Sequence, residues 1–263
     1  MKKNNNLFIS ICLCISALCM AACNFSVSHT KDGFRDSEKW GKVVTKTIEV
    51  QPFSEIILSG NVDIRFTQGD TLKVEAYGNE KAIESKNITS NNNILIVSKK
   101  EDAPNNAPTI KLLITAPSLE RVNVTGAGDI DFKGEIILEG NLDLNVSGAG
   151  NVNINKLVCN DLDIKITGAG DVTANKITSQ KATIQTCGAG DVDASIKATD
   201  ILLTISGAGD ADLNVKCDNL IVISAGAGDV ELKGECTNLT KTTSGMASID
   251  SRKLSVKNIS IKK

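Results

Sequence analysis

A tetrapeptide, Gly-Ala-Gly-Asp, or a near copy of it, recurs at almost fixed spacing through the second half of the chain and limits what the chain can fold into. Copies begin at Gly126, Gly148, Gly168, Gly188, Gly207 and Gly226, with Asn151 in place of Asp in the second, and Gly245-Met246-Ala247-Ser248 forms a degenerate seventh. The intervals are 22, 20, 20, 19, 19 and 19 residues. A period near 20 residues marks a solenoid: each repeat is a coil too small to enclose a core and buries its apolar side against the next coil.

Counting back from the first Gly of the repeats, apolar residues recur at minus six, minus four and minus two, as in Leu142, Leu144, Val146, in Leu162, Ile164, Ile166 and in Ile201, Leu203, Ile205. That period of two predicts a strand with one buried face. After the tetrapeptide the alternation resumes at plus four and plus six, with Val152, Ile154 and Val230, Leu232, and a third apolar position follows in Leu157, Ile177, Ile196 and Val215. Each coil therefore holds two or three short strands, joined by the Gly-Ala-Gly corner and by a polar corner such as Asn160-Asp161. The expected fold is all-β, a parallel β-helix of right-handed sense. With aromatic residues at 3% of the chain, Val, Ile, Leu and Ala must fill its core.

Residues 40–118 show the same alternation without the tetrapeptide, in runs such as Val62-Asp63-Ile64-Arg65-Phe66 and Ile94-Leu95-Ile96-Val97. Gly60-Asn61-Val62-Asp63-Ile64 looks like an echo of the later repeats. This segment is expected to form wider first coils and a cap, with longer loops at 78–90 and 99–108; a separate small β-sandwich is the alternative. Residues 119–250 form the regular coils, and residues 251–263 a closing strand.

The N-terminus reads as an export signal over residues 1–22. Lys2 and Lys3 give a basic start, residues 7–20 form an apolar run, and Met20-Ala21-Ala22 precede Cys23. This order resembles a bacterial lipobox, with Met20 where leucine is usual, and places lipidation at Cys23. Residues 23–39 then form a polar tether that contains His29, the only histidine. Loss of the signal removes two of the 29 basic residues and none of the 31 acidic ones, so the formal net charge becomes more negative than the −2 of the whole chain. No basic stripe exists to displace counterions from phosphates, which excludes nucleic acid as a partner.

Four cysteines lie beyond Cys23. Cys217 and Cys236 occupy one column on neighbouring coils, about 4.8 Å apart, within bridging range. Cys159 shares that column three coils away and Cys187 sits in another, so both are expected as free thiols. No Cys-x-x-Cys pair supports a metal site, and no cofactor is expected.

Three features occur together: the lipobox-like signal, Pro52-Phe53-Ser54-Glu55-Ile56 with Gly60-Asn61-Val62-Asp63-Ile64 behind it, and Ala116-Pro117-Ser118-Leu119 leading into the Gly-Ala-Gly-Asp coils. They resemble the putative autotransporter adhesin, head GIN domain family, common in Bacteroidota and formerly a domain of unknown function. The resemblance spans about residues 45–250. It implies a parallel β-helix shaped like pectin-lyase-like proteins without their catalytic residues, and a role in adhesion.

Two acidic columns follow the corners. Position plus three carries Asp129, Asn151, Asp171, Asp191, Asp210 and Asp229; plus five carries Asp131, Asn153, Thr173, Asp193, Asp212 and Glu231. Carboxylates stacked about 5 Å apart repel, which invites either a cation or hydrogen bonds from corner amides. The amide reading is preferred, with Asp171, Asp191, Asp210 and Asp229 the calcium alternative; the Gly-Gly-x-Gly-x-Asp nonapeptide of calcium-wrapping repeats is absent. On the other exposed face, polar pairs give way to Leu202, Ile221 and Ile223, a strip that either packs under residues 253–261 or meets an oligomer partner.

These readings converge on a non-enzymatic, lipid-anchored protein of the cell envelope, an outer-membrane lipoprotein that binds a protein or glycan through its repetitive face. A carbohydrate-active β-helix and a self-associating structural protein are the alternatives. Glycoside chemistry needs carboxylates in unequal environments, whereas these repeat in every coil, and Trp40 and Tyr77 are the only Trp and Tyr available to stack on sugars. No catalytic residue is assigned.

Overall fold

The computed structural model describes residues 39–262 and shows a right-handed β-solenoid of about 7 turns. Its regular part alternates between two parallel sheets that face each other across the core. The first sheet stacks β8 (Arg121–Gly126), β10 (Leu142–Gly148), β12 (Asp161–Gly168), β14 (Lys181–Gly188) and β16 (Asp200–Gly207). The second stacks β9 (Ile130–Ile137), β11 (Val152–Val158), β13 (Val172–Thr178) and β15 (Val192–Lys197). Beyond them β17 (Ala211–Gly226), β18 (Asp229–Gly245) and β19 (Ser248–Lys262) run through the polar corner without a break, so each contributes to both sheets.

Register follows the repeat. Gly126 stacks on Gly148, Gly148 on Gly168, and the series continues to Gly245. Shifting any strand by one residue would turn its apolar positions outward, so the alternation fixes the stacking. The expected inner residues are inside: Leu142, Leu144 and Ile164 have no exposure, and Leu157, Ile177, Ile196 and Val215 have at most 2%. One inner column changes size along the axis, from Phe66 and Phe132 through Ile154 to Ala174 and Ala194, then back to Leu213 and Leu232. The column therefore carries its smallest side chains at the two alanines.

The N-terminal strands share these sheets in an order different from their sequence. β2 (Phe53–Gly60) and β3 (Val62–Gln68) form a coil that lies between β6 (Asn93–Lys99) and β7 (Ile110–Ala116) on one side and β8 and β9 on the other. The chain thus lays down one coil, adds the next on its outer side, then returns to build the regular repeats on its inner side. Outermost, β5 (Lys86–Asn91) pairs antiparallel with β6, while β4 (Lys73–Asn79) pairs antiparallel with β7 and β1 (Val43–Thr47) with β4. Residues 78–90 are not the loop expected from sequence. They hold a short helix, α1 (Glu80–Glu84), and the start of β5, because Ala82 and Ile83 are buried against the cap with 0% and 5% exposure. Two buried residues in a polar stretch leave too short a pattern to read as a helix.

Candidate functional site

Each corner is held by two hydrogen bonds to the coil before it. The Ala N–H of one corner donates to the carbonyl of the first Gly in the preceding corner, as in Ala169 to Gly148, Ala189 to Gly168 and Ala208 to Gly188, each 2.9 Å. The plus-three N–H donates to the side-chain oxygen of its predecessor. Asn151 donates to Asp129, Asp171 to Asn151, Asp191 to Asp171, Asp210 to Asp191 and Asp229 to Asp210, at 2.8–2.9 Å. One side-chain oxygen of Asp129, Asn151, Asp171, Asp191 and Asp210 is therefore committed to an amide, which is how Asp and Asn side chains stabilise turns.

The ladder is longer than its six repeat members. Asp63 heads it, accepting the Asp129 amide at 3.2 Å, and the Ser248 hydroxyl closes it by donating to Asp229 at 2.8 Å. Both stand three residues after a corner glycine, Gly60 and Gly245, so the Gly60-Asn61-Val62-Asp63 echo and the degenerate Gly245-Met246-Ala247-Ser248 copy supply the two ends of the ladder. Desolvation by burial pushes the Asp63 carboxyl above the usual carboxylate range, against the lowering effect of the Asp129 amide.

The plus-five column is neutralised at its ends and open in its middle. Arg65 and Lys133 lie 3.7 and 3.4 Å from Asp131; at the other end Lys233 sits 2.5 Å from Asp212, and Lys253 pairs with Glu231. From Asp171 to the last rung, the two columns border a shallow groove of about 560 Å³ lined by Asp171, Asp191, Asp193, Asp210, Asp212, Asp229 and Glu231. Among the described residues no group of three or more His, Cys, Asp or Glu side chains converges as a metal-ion site. Calcium is therefore expected to shift the melting temperature little: about 1 mM calcium would add roughly 2.7 kcal/mol per site only if the dissociation constant were near 10 μM. A large shift abolished by Asp191→Asn with Asp210→Asn would show ion cages instead.

The opposite face carries the strip named from sequence. Leu202 and Ile223 are half-buried and Ile221 is 42% exposed. Residues 253–261 do not pack across it. β19 stacks edge to edge on β18 and continues the sheets, because its own alternation matches the inner columns better than the outer face. Further along the face, Arg121 bridges Glu55 at 2.8 Å and Asp143 at 3.3 Å. Asp163 lacks such a partner; desolvation, then the like charge of Asp143, raises its pKa.

A carboxyl whose folded pKa is raised binds more protons folded than unfolded in the interval between the two values. Asp163 thus lowers stability as pH rises through its ordinary range and above. Asp163→Asn is expected to raise the melting temperature modestly at pH 7 and not at pH 3; equal shifts at both would remove electrostatics as the cause.

Cys217 and Cys236 are register partners and both are thiols, with Cys217 hydrogen-bonded to Cys236. Burial, with smaller contributions from Cys236 and nearby acids, pushes the Cys217 thiol up to about 12, and burial with Asp161 does the same to Cys159, also a free thiol. Cys187 does not match its expectation: it is in a disulfide. Column geometry restricts only which stacked cysteines can meet one another, and Cys187 is at the edge of the corner with 9% exposure. Cys23 lies outside the described residues.

The stacked coils and the corner ladder define a β-solenoid scaffold. The profile of the family described as putative auto-transporter adhesin, head GIN domain, matches residues 52–195 and residues 191–263, and the chain belongs to that family. Solved structures share the fold. A putative adhesin from Bacteroides fragilis is 24% identical, with a TM-score of 0.61 over 84% of this chain and 97% of that one. A putative adhesin from Parabacteroides merdae is 18% identical, with a TM-score of 0.64 over 85% and 97%. A putative lipid binding protein from Parabacteroides distasonis is 15% identical, with a TM-score of 0.60 over 85% and 98%. No curated protein matches the sequence.

Proposed function

We propose that this protein is a non-enzymatic adhesin of the cell envelope, tethered to the outer membrane by a lipid on Cys23, which binds an extended protein or glycan along the lateral faces of the solenoid. The observation that carries the reading is the repetition itself. From Gly126 to Gly245 each corner has its counterpart about 4.8 Å away on the next coil, and Asp171, Asp191 and Asp210 share one environment, each bound to the amide of the next corner. Acid–base catalysis calls for two groups pushed apart in pKa by unequal surroundings. A row of equivalent weak contacts instead suits many-point attachment, in which affinity grows with the number of rungs engaged.

The tether is tested by Cys23→Ser. The variant is expected to leave the membrane fraction, and the wild-type mature mass to carry acyl groups; a variant that stays on membranes with an unacylated wild type would remove the anchor. Protease shaving of intact cells then reads which leaflet and face the solenoid occupies. Binding is tested by charge reversal along the groove, Asp193→Lys with Asp212→Lys. Adhesion of cells bearing that variant should fall severalfold if the acidic face is engaged, with no change in surface amount.

A further inference from the structure

The two ends of the solenoid are built differently. At the N-terminal end, antiparallel strands β1, β4 and β5 with α1 close both sheets, and Trp40 is buried there at 4% exposure. At the other end β19 pairs with β18 alone among the described residues, so one row of its backbone N–H and C=O groups faces outward. The inner columns also emerge there. Leu220 and Leu239 are 0% and 1% exposed, while Ile259, the next residue in that column, is 58% exposed; Val222 is fully buried, while Ile261 in its column is 64% exposed.

Charge distinguishes this end further. Residues 251–263 hold five basic residues and no acidic one. Arg252 is spoken for by Asp250 and Lys253 by Glu231. Lys241 and Lys257 have no carboxylate partner among the described residues. Lys241 takes the place of Val222 in an inner column, and its half-buried ammonium donates to the Ile249 carbonyl at 3.3 Å and the Ser251 hydroxyl at 3.1 Å, leaving a third donor over. Lys241 stands on β18, one rung in from the edge, but its ammonium reaches the level of β19, and a charge held at the end of a sheet blocks indiscriminate pairing. It also sets a requirement for whatever does pair.

We propose that this edge is a docking site for an extended acidic segment of a partner protein, which adds as the next rung of the solenoid. Its backbone would satisfy the open edge of β19, its apolar side chains would cover Ile259 and Ile261, and its carboxylates would meet Lys241 and Lys257. Edge addition of this kind draws affinity from main-chain hydrogen bonds and selectivity from side chains. A second copy fits poorly. Antiparallel self-pairing over the whole of β19 sets Lys253 of one copy opposite Lys257 of the other, and like charges directly opposite destabilise a ladder. The site is at the end of the solenoid, so it is independent of lateral adhesion.

The test uses the full chain with two eight-residue peptides, one alternating valine with glutamate and one alternating valine with lysine. Hydrogen exchange is read at the amides of residues 254–261, with β12 and β14 as the fold control. The acidic peptide is expected to slow exchange there by at least about tenfold and the basic peptide to have no effect. The protection should weaken in high salt and be lost in Lys241→Gln with Lys257→Gln, whose control strands stay protected. Equal protection by both peptides, or none by either, overturns the proposal. So does protection that appears without peptide as protein concentration rises, which indicates self-association, or that anionic phosphatidylglycerol vesicles give in place of the acidic peptide.

Discussion

Alanine at Gly188 is expected to remove more than about 4 kcal/mol, enough to unfold a domain whose whole stability is of order 5–15 kcal/mol. Two constraints coincide at this residue. Its φ is +140°, a conformation that side chains resist, and a Cβ there would lie 1.8 Å from the carbonyl oxygen of Gly168. That oxygen cannot retreat without cost, because it accepts the Ala189 N–H at 2.9 Å; the hydrogen bond that stacks the corner also fills the space of a side chain. Gly134 separates the two effects. It has φ +77° with nothing within 4 Å of the built Cβ, so Gly134→Ala should cost only the conformational term, about 1–2 kcal/mol. Chemical denaturation of both variants checks the difference. Equal losses would mean that backbone conformation alone demands glycine at the corner.

The second glycine of each tetrapeptide isolates the other half. Gly190 shows no positive φ, yet a Cβ there would meet the Gly170 oxygen at 1.9 Å. The repeat keeps two glycines for different reasons, the first for conformation and contact, the second for contact alone. The alanine between them is exposed in every corner and is the natural point at which the sequence tolerates change, as Met246 in the seventh corner shows with 83% exposure.

What the sequence made legible was whatever the repeat states many times. Inner positions at minus six, minus four and minus two, the strand after the corner, and the solenoid class all follow from alternation multiplied by period. The order of the N-terminal coils was not legible. Ile94-Leu95-Ile96-Val97 and Ile110 to Ile114 alternate as the repeats do, and alternation says which face is buried, not which side of β2 and β3 a strand joins. Lys241 was missed because two polar residues, Lys241 at minus four and Thr243 at minus two from Gly245, break the binary pattern and read as a lapse of the repeat. Its inward place became clear only from its register with Val222. Of the proposed site, the acidic columns were visible as spacing. Their hydrogen-bond direction, side chain to the next amide, depends on the pitch of one coil over another and has no sequence signature.

Phe132→Ala is expected to cost about 3–5 kcal/mol, the other large effect. Phe66 and Phe132 are register partners on β3 and β9, with 0% and 1% exposure and ring centroids 5.7 Å apart at 56°. They fill the widest part of the column that narrows to Ala174 and Ala194, at the junction where the returning chain lays regular coils against the N-terminal coil. Backbone spacing between rungs is set by hydrogen bonds, so the sheets cannot close onto the space a lost ring leaves, and the cavity penalty should be felt nearly in full. Phe132→Leu keeps most of the volume and should cost well under half as much. The double variant Phe66→Ala with Phe132→Ala should fall short of the sum of the single losses, because the first truncation already removes the ring contact that the second would lose. Denaturation of the single and double variants measures the coupling. Strict additivity would show two independent cavities, and the junction would then owe its strength to the backbone ladder alone.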